Sequence, residues 1–384
     1  MGTVPALDPL EVYSGVIVGD RRSATPLPDS PALAGTPREV LEALLLEPLR
    51  HSPCRVAFSG GRDSSAILAA ATYTARKHGL PDPVPMTARL EDYPRTWETD
   101  WQQMTVSHLG LRDWETVSIT TELDALGAVA TAALRRYGLY WPSQAHSIIV
   151  FAQHAGSGSL VTGGGGDEVF TPWSGRRLPM RQLAKVRPRR SAAKWMAYYA
   201  LPQALRVRVY QARFPMRIPW LQPDAERQVV ERRRARALDP TRAVGESLER
   251  MLASRYLELV RGVLDTFATD HGVRLFEPFY DPRFVRAIAA AAPEDGYPTR
   301  SGALRAQFGD LLPDEIWTRG TKAVFTEVAW GPEARKFAEA WDGKGVDRAI
   351  VDIDRLQEEW AKPRPDARTL TCLAKAWLAA QRPA

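Results

Sequence analysis

Apolar positions recur along the chain with two periods, and the places where one gives way to the other mark its organisation. PREVLEALLLEPLRHS at 37–52 has apolar residues at helical spacing and predicts a helix. It leads into RVAF at 55–58, a short apolar run that predicts a strand, then SGGRDSS, then AILAAATYTARKHG, a helix with Gly79 as its natural stop. The alternation continues: VPMTARL (84–90) as strand, TDWQQMTVSHLG (99–110) as helix, ETVSI (115–119) as strand and ELDALGAVATAALRRYG (122–138) as helix. SIIVFAQHAG (147–156) predicts one more helix before the short strand SLVTG (159–163) and a run of glycines. Strands alternating with helices predict an α/β domain: a parallel sheet covered by helices on both faces, with ligands at the carboxyl ends of its strands.

Past Phe170 the strand signals stop. Helical patterns dominate to the end, separated by proline-rich joints such as ARFPMRIPWLQPDA (212–225). They include ESLERMLASRYLELVRGVLDTFATDHG (246–272), which reads as one long helix, and TLTCLAKAWLAAQ (369–381). The expected organisation is an N-terminal arm and lead-in helix over 1–45, irregular up to about Ala32, a nucleotide-binding domain over 46–170, and a helical extension over 171–384.

Composition narrows the class. Apolar residues make up 45% and charged residues 25% of the 384, as in a globular protein, and no apolar run is long enough for a membrane span. The opening MGTVPALDPLEVYSG lacks the order of a secretory signal and fits no lipidation pattern, so a cytoplasmic location is expected. The two cysteines, Cys54 and Cys372, are expected to be buried thiols without chemistry. Formal charge is +6, with the excess in RRLPMRQLAKVRPRR (176–190) and ERRRARA (231–237). A solvated helical face or a nucleotide-facing wall is favoured there over a nucleic-acid or membrane patch. The aromatic and arginine-rich tract 191–214, with Trp195, Tyr198 and Tyr199, reads as helical core with snorkelling arginines.

The first strand-to-helix junction carries chemistry. Gly60 and Gly61 let the backbone turn tightly against an anion, at which the helix that follows points its free N–H groups. Ser59, Ser64 and Ser65 add hydroxyl donors, and Asp63 would repel phosphate unless a divalent cation stood between them, which makes it the natural Mg²⁺ ligand. No lysine follows the glycines, so this is not the phosphate loop of kinases and GTPases. LVTGGGGDEVF (160–170) repeats the logic: Gly163 and Gly164 permit close backbone approach to a ligand, and Asp167 supplies a second carboxylate to the same metal.

SGGRDSS resembles the PP-loop, SGGxDS, of enzymes that cleave ATP between its α and β phosphates. TGGGGDE resembles the SGEGGDE segment of asparagine synthetases, at a comparable interval. HGVRLFEPFYDPRFVRAIA (271–289) and LLPDEIWTRGTKAVF (311–325) resemble that family's EVRVPFLDxxFVxxA and LPxxIxxRxKxGF, in the same order. The resemblance covers roughly 55–325, and with it comes the expected fold, a PP-loop (HUP-like) domain. It implies an ATP-dependent amide-forming ligase that adenylates a carboxylate, releases pyrophosphate, and passes the acyl group to an amine or ammonia. It also implies that Ser59, Gly60, Gly61, Asp63, Ser64 and Ser65 bind the β and γ phosphates, that Asp63 and Asp167 hold Mg²⁺, and that Lys322 stabilises charge on the reacting groups.

Three departures stand out. Position 2 is Gly2 rather than the catalytic cysteine that opens a glutaminase domain, so a separate amine-supplying or pathway partner, free ammonia or the substrate's own amine is expected. The family's Glu, replaced by Tyr in the related β-lactam synthetases, is Gly164; Glu168, Glu258 and Glu277 are the candidates to replace this base. Around the third segment, Arg274 stands where Glu is usual, Phe276 where Arg is usual, and Glu277 enters a normally apolar slot. The competing readings are a PP-loop enzyme that modifies tRNA and a nucleotide-binding relative without catalysis.

Overall fold

The computed structural model describes residues 2–23, 35–171, 197–198, 200–213, 215–238, 241, 243–294, 296–320 and 328–381. Lys322, Trp195, Tyr199 and the run 176–190 lie outside the described residues. The core is a five-stranded, wholly parallel sheet: β1 (Cys54–Ala57), β2 (Val84–Leu90), β3 (Glu115–Ile119), β4 (Ser159–Val161) and β5 (Arg274–Phe276), in the order β3-β2-β1-β4-β5. Leu160 is buried in one apolar cluster and Val161 in another, so successive residues of β4 feed opposite faces, each covered by helices.

The chain runs outward from β1 to β2 and β3, then returns to lay β4 on the other side of β1. The direction of winding therefore switches between β1 and β4, where open parallel sheets leave a crevice at their carboxyl ends. The loops that leave β1 and β4 are the two glycine runs.

Four features differ from the sequence expectation. β5 extends the sheet within the segment expected to be dominated by helices. Three residues are too few to show a period, and its pairing with β4 is what defines it. The long helix predicted over 246–272 is two, Val244–Leu252 and Arg255–Asp270, because the N-terminal arm takes the backbone bonds at the break. Arg21 N–H donates to the Ala253 carbonyl (2.8 Å), Arg255 N–H donates to the Gly19 carbonyl (3.0 Å), and Ser254 caps the second helix.

The described part of the arm, 2–23, carries a helix. Asp8 and Glu11 form a reciprocal cap on a helix Pro9–Ser14 whose Leu10, Val12 and Tyr13 are buried, and Trp220 Nε1 donates to the Tyr13 carbonyl (2.8 Å). Glu11 meets Arg255 at 3.0 Å with both side chains 3% exposed. Finally, the helix expected from 122 begins only at Ala128. The buried Asp124 carboxylate accepts from the N–H groups of Leu126, Glu333 and Ala334, and so holds the preceding residues in a turn.

Cys54 and Cys372 are both free and buried. Burial pushes the Cys54 thiol up to about 11, in keeping with two inert thiols. The described part of ERRRARA lies mainly exposed on the helix Pro223–Leu238, where Arg232 reaches Asp8 (3.1 Å). Among the described residues no helix is long and apolar enough to cross a membrane.

Candidate functional site

The loop from β1 enters the helix Arg62–Lys77 with Gly61 as its N-cap and Gly60 at φ +81°. A Cβ at Gly60 would stand 2.8 Å from Gln102 Cγ, so both the conformation and the space require glycine. The loop's carbonyls are engaged from behind: Gln102 Nε2 donates to the Ser59 carbonyl (3.1 Å) and Arg319 Nη1 to the Gly60 carbonyl (2.5 Å). Because peptide units are planar, this turns the N–H groups of Gly60 and Gly61 the other way. Arg319 is itself fixed by an ion pair with Glu98 and by the face of Trp101, 4.9 Å from its guanidinium, with side chains 2% and 7% exposed for Arg319 and Glu98.

The serines divide their work. Ser64 Oγ accepts from Ser59 N–H (3.3 Å), lies 3.1 Å from Ser59 Oγ and donates to the Gly61 carbonyl (3.1 Å), tying the loop to the helix start. Ser65 is wholly buried, and its Oγ has no hydrogen-bond partner among the described residues.

The second glycine run lies directly against the first. A Cβ at Gly163 would come within 2.9 Å of the Asp63 carbonyl carbon and the Ser64 nitrogen, and one at Gly166 would overlap the Asp63 carboxyl group. Contact between the loops, rather than flexibility, explains these glycines. Gly165 begins the short helix Gly166–Val169 at φ +96°. Asp63 and Asp167 come together on one cation, the guanidinium of Arg300: Nη2 pairs with Asp63 Oδ2 and Nη1 with Asp167 Oδ1 (2.9 Å). Arg300 Nε also points at the Gly166 carbonyl (3.4 Å).

That guanidinium is a stand-in that tests the metal expectation. Two carboxylates from neighbouring strand ends converge on one positive charge, and a hard divalent cation with two carboxylates and substrate phosphates is the usual Mg²⁺ arrangement. Among the described residues no group of three or more His, Cys, Asp or Glu side chains could hold a metal unaided. The pair thus fits a cation shared with a phosphate ligand. Arg62, Arg300 and Arg319 gather around the loop; burial, then Arg319 and Arg300, lower the pKa of Arg62, as expected where positive charges are concentrated.

Gly164 looks onto a different chemistry. A Cβ placed there would stand 2.8 Å from Glu277 Oε1, so the Glu277 carboxyl fills the space that a side chain at 164 would need. Glu277 Oε2 is out of solvent contact and has no hydrogen-bond partner among the described residues. Burial, reinforced by the Asp265 charge and only partly offset by Arg261, pushes its pKa up to about 7. Beside it Tyr256 Oη donates to Glu168 Oε1 (2.8 Å), and burial raises both Tyr256 and Tyr280 well above the usual phenol value. Glu258 lies elsewhere: it accepts from Arg22 N–H (3.0 Å), Ser23 N–H (2.7 Å) and Arg255 (2.8 Å), fastening the arm.

The segment 271–289 contributes β5, Glu277 and then Asp281, which caps the helix Pro282–Ala291 and pairs with Arg283 (2.8 Å). Arg274, at the opposite end of β5 from Glu277, contacts His51 Nε2 (2.6 Å). The sequence reading missed Arg300, Glu98 and Gln102 because they belong to no motif. Arg319 was within the quoted segment 311–325, but its contact with the loop depends on the fold.

The asparagine synthase family model matches residues 49–379, from the lead-in helix to the last helix. The chain belongs to the asparagine synthase family. No curated protein gives a match. Membership makes this an ATP-dependent ligase of the amide-forming synthetase class, with a carboxylate and an amine or ammonia as its substrates. The two glycine loops and the Glu277 carboxyl beside Gly164 are thus parts of a synthetase of that family.

Proposed function

We propose that this asparagine synthase-family protein activates a carboxylate as its acyl-adenylate and transfers the acyl group to an amine, in a biosynthetic reaction. The observation that carries the reading is the meeting of two glycine loops at the β1/β4 crevice, with Asp63 and Asp167 around a cation and the Glu277 carboxyl beside Gly164.

ATP lies across the strand ends with its β and γ phosphates on the N–H groups of Gly60 and Gly61 and the hydroxyls of Ser59, Ser64 and Ser65. Gly163 and Gly164 let the second loop approach the nucleotide. Asp63 and Asp167 would hold Mg²⁺, which, when bound, neutralises charge on the phosphates. An oxygen of the substrate carboxylate bonds to the α-phosphorus as the bond to pyrophosphate breaks. Lys322 is assigned to the charge that develops there.

In the second step the amine nitrogen bonds to the acyl carbon, the carbon–oxygen bond to AMP breaks, and the nitrogen gives up a proton. Glu277 is assigned as acceptor of that proton, since its carboxyl stands where the family's base would project from position 164. A pKa of about 7 matches a base that works near neutrality. Tyr256 and Tyr280 keep Glu168 occupied.

ATP–pyrophosphate exchange with Mg²⁺ over a panel of carboxylates tests the reading, because exchange reports adenylation before any amine is needed. Exchange with one acid, lost in Asp63→Ala, is the expected result. Wild-type protein that binds Mg·ATP yet exchanges with none of them in the presence of amine donors would count against it.

A further inference from the structure

Asp63 and Asp167 are delivered by the loops of β1 and β4, whereas Arg300 comes from a third place, the first residue of the helix Arg300–Phe308, capped by Thr299. It lies in none of the four motifs that carry the family resemblance. Its side chain is 19% exposed, compared with 60% for Asp167, so the guanidinium is set into the crevice while one of its partners faces solvent. Its Nη1 and Nη2 are divided between two carboxylates, and its Nε is aimed at the Gly166 carbonyl. This is a bridging arrangement.

Charge counting gives that bridge a consequence. Within this bridge, one guanidinium against two carboxylates sums to one net negative charge, and a divalent cation in its place would bring that sum to zero. The cation and the guanidinium cannot occupy the same point, so the arrival of one releases the other. A released arginine at the crevice, already near Arg62 and Arg319, faces the anionic phosphates that accompany the metal.

We propose that Arg300 is a resident counter-cation: it holds Asp63 and Asp167 together while the site is free of metal, yields both carboxylates to a divalent cation, and turns its guanidinium onto the phosphates. It is a positioning residue in the first state and a phosphate contact in the second. The inference rests on the reading of the site as a metal–nucleotide site. It adds that metal affinity without nucleotide is kept low by an internal competitor, which couples metal binding to the arrival of phosphate.

The test is Mn²⁺ binding to nucleotide-free protein, followed by the electron paramagnetic resonance of free Mn²⁺, in wild type, Arg300→Gln, Arg300→Lys and Arg300→Gln/Asp167→Asn. Removing a charge-assisted competitor is expected to tighten Mn²⁺ binding about tenfold in Arg300→Gln, with Arg300→Lys intermediate and the double variant losing the gain. Inorganic pyrophosphate, titrated with Mn²⁺ saturating, is expected to bind about tenfold more weakly to Arg300→Gln than to wild type.

Wild-type Mn²⁺ affinity in both Arg300 variants would overturn the competition, and unchanged pyrophosphate affinity would overturn the phosphate contact. Should Arg300→Gln fail to fold, Arg300→Lys alone decides, since it keeps a positive charge but cannot present the planar fork. None of these titrations needs a carboxylate substrate or turnover, so their outcome is separate from success or failure of ATP–pyrophosphate exchange.

Discussion

The two sides of the β1/β4 crevice treat carboxylate charge in opposite ways. On the PP-loop side each carboxylate has a guanidinium: Asp63 and Asp167 meet Arg300, and Glu98 meets Arg319. On the side of Gly164, Glu277 is enclosed beside Tyr280 and the Asp265 charge, and no ion pair to its carboxyl is formed among the described residues. Paired carboxylates hold cations. An uncompensated one has its proton poised near neutral pH. A ligase that first stabilises polyphosphate charge and then removes a proton from an amine has a use for both, within one crevice.

The comparison can be broken from either side. The largest effect is expected on the phosphate side, where Asp63→Asn removes half of the carboxylate pair and is predicted to lower ATP–pyrophosphate exchange at least about a thousandfold. Next is Glu277→Gln, predicted to leave exchange near wild type while slowing amide formation about a hundredfold to ten-thousandfold. In wild type the acyl-transfer rate should rise with pH through about 7 as Glu277 loses its proton, and in Glu277→Gln that rise should vanish.

Glu11→Ala is a control remote from the crevice. It takes one of two carboxylates from the buried Arg255, which keeps Glu258 (2.8 Å), and is predicted to cost about 3 kcal/mol in denaturant unfolding.

The smallest effect concerns stability against pH. Burial raises Glu277 from 4.5 to about 7, so the folded protein holds this proton more tightly than the unfolded chain. The resulting stabilisation is fully present below about pH 4.5 and is lost as pH rises through about 7, a change of at most about 3 kcal/mol. Unfolding free energies measured across that window should show a shallower fall in Glu277→Gln.

The same contrast explains what could be read in the sequence. The PP-loop side was legible because strand, glycine turn and helix are consecutive, and each imposes its own local pattern: RVAF, SGGRDSS, then AILAAATYTARK. Gly163 and Gly164 could be marked as places of close backbone approach, although what Gly163 approaches, the backbone of Asp63 and Ser64, required the two loops in place. Glu277 could be named only as one of three candidates, because its meeting with Gly164 joins positions 113 apart in the chain through the β4–β5 pairing. β5, the break at Ser254 and the docked arm are tertiary in origin: their hydrogen bonds run to distant segments, and no local period announces them. Arg300 lies in no motif, and only the folded crevice identifies it.

The most direct test of the account measures both half-reactions, ATP–pyrophosphate exchange and amide formation, in wild type, Asp63→Asn and Glu277→Gln with one accepted carboxylate. The account predicts that Asp63→Asn loses both and that Glu277→Gln keeps exchange while losing amide formation. Equal loss of exchange in the two variants, or full amide formation by Glu277→Gln, would contradict the division of the crevice into a phosphate side and a proton-transfer side.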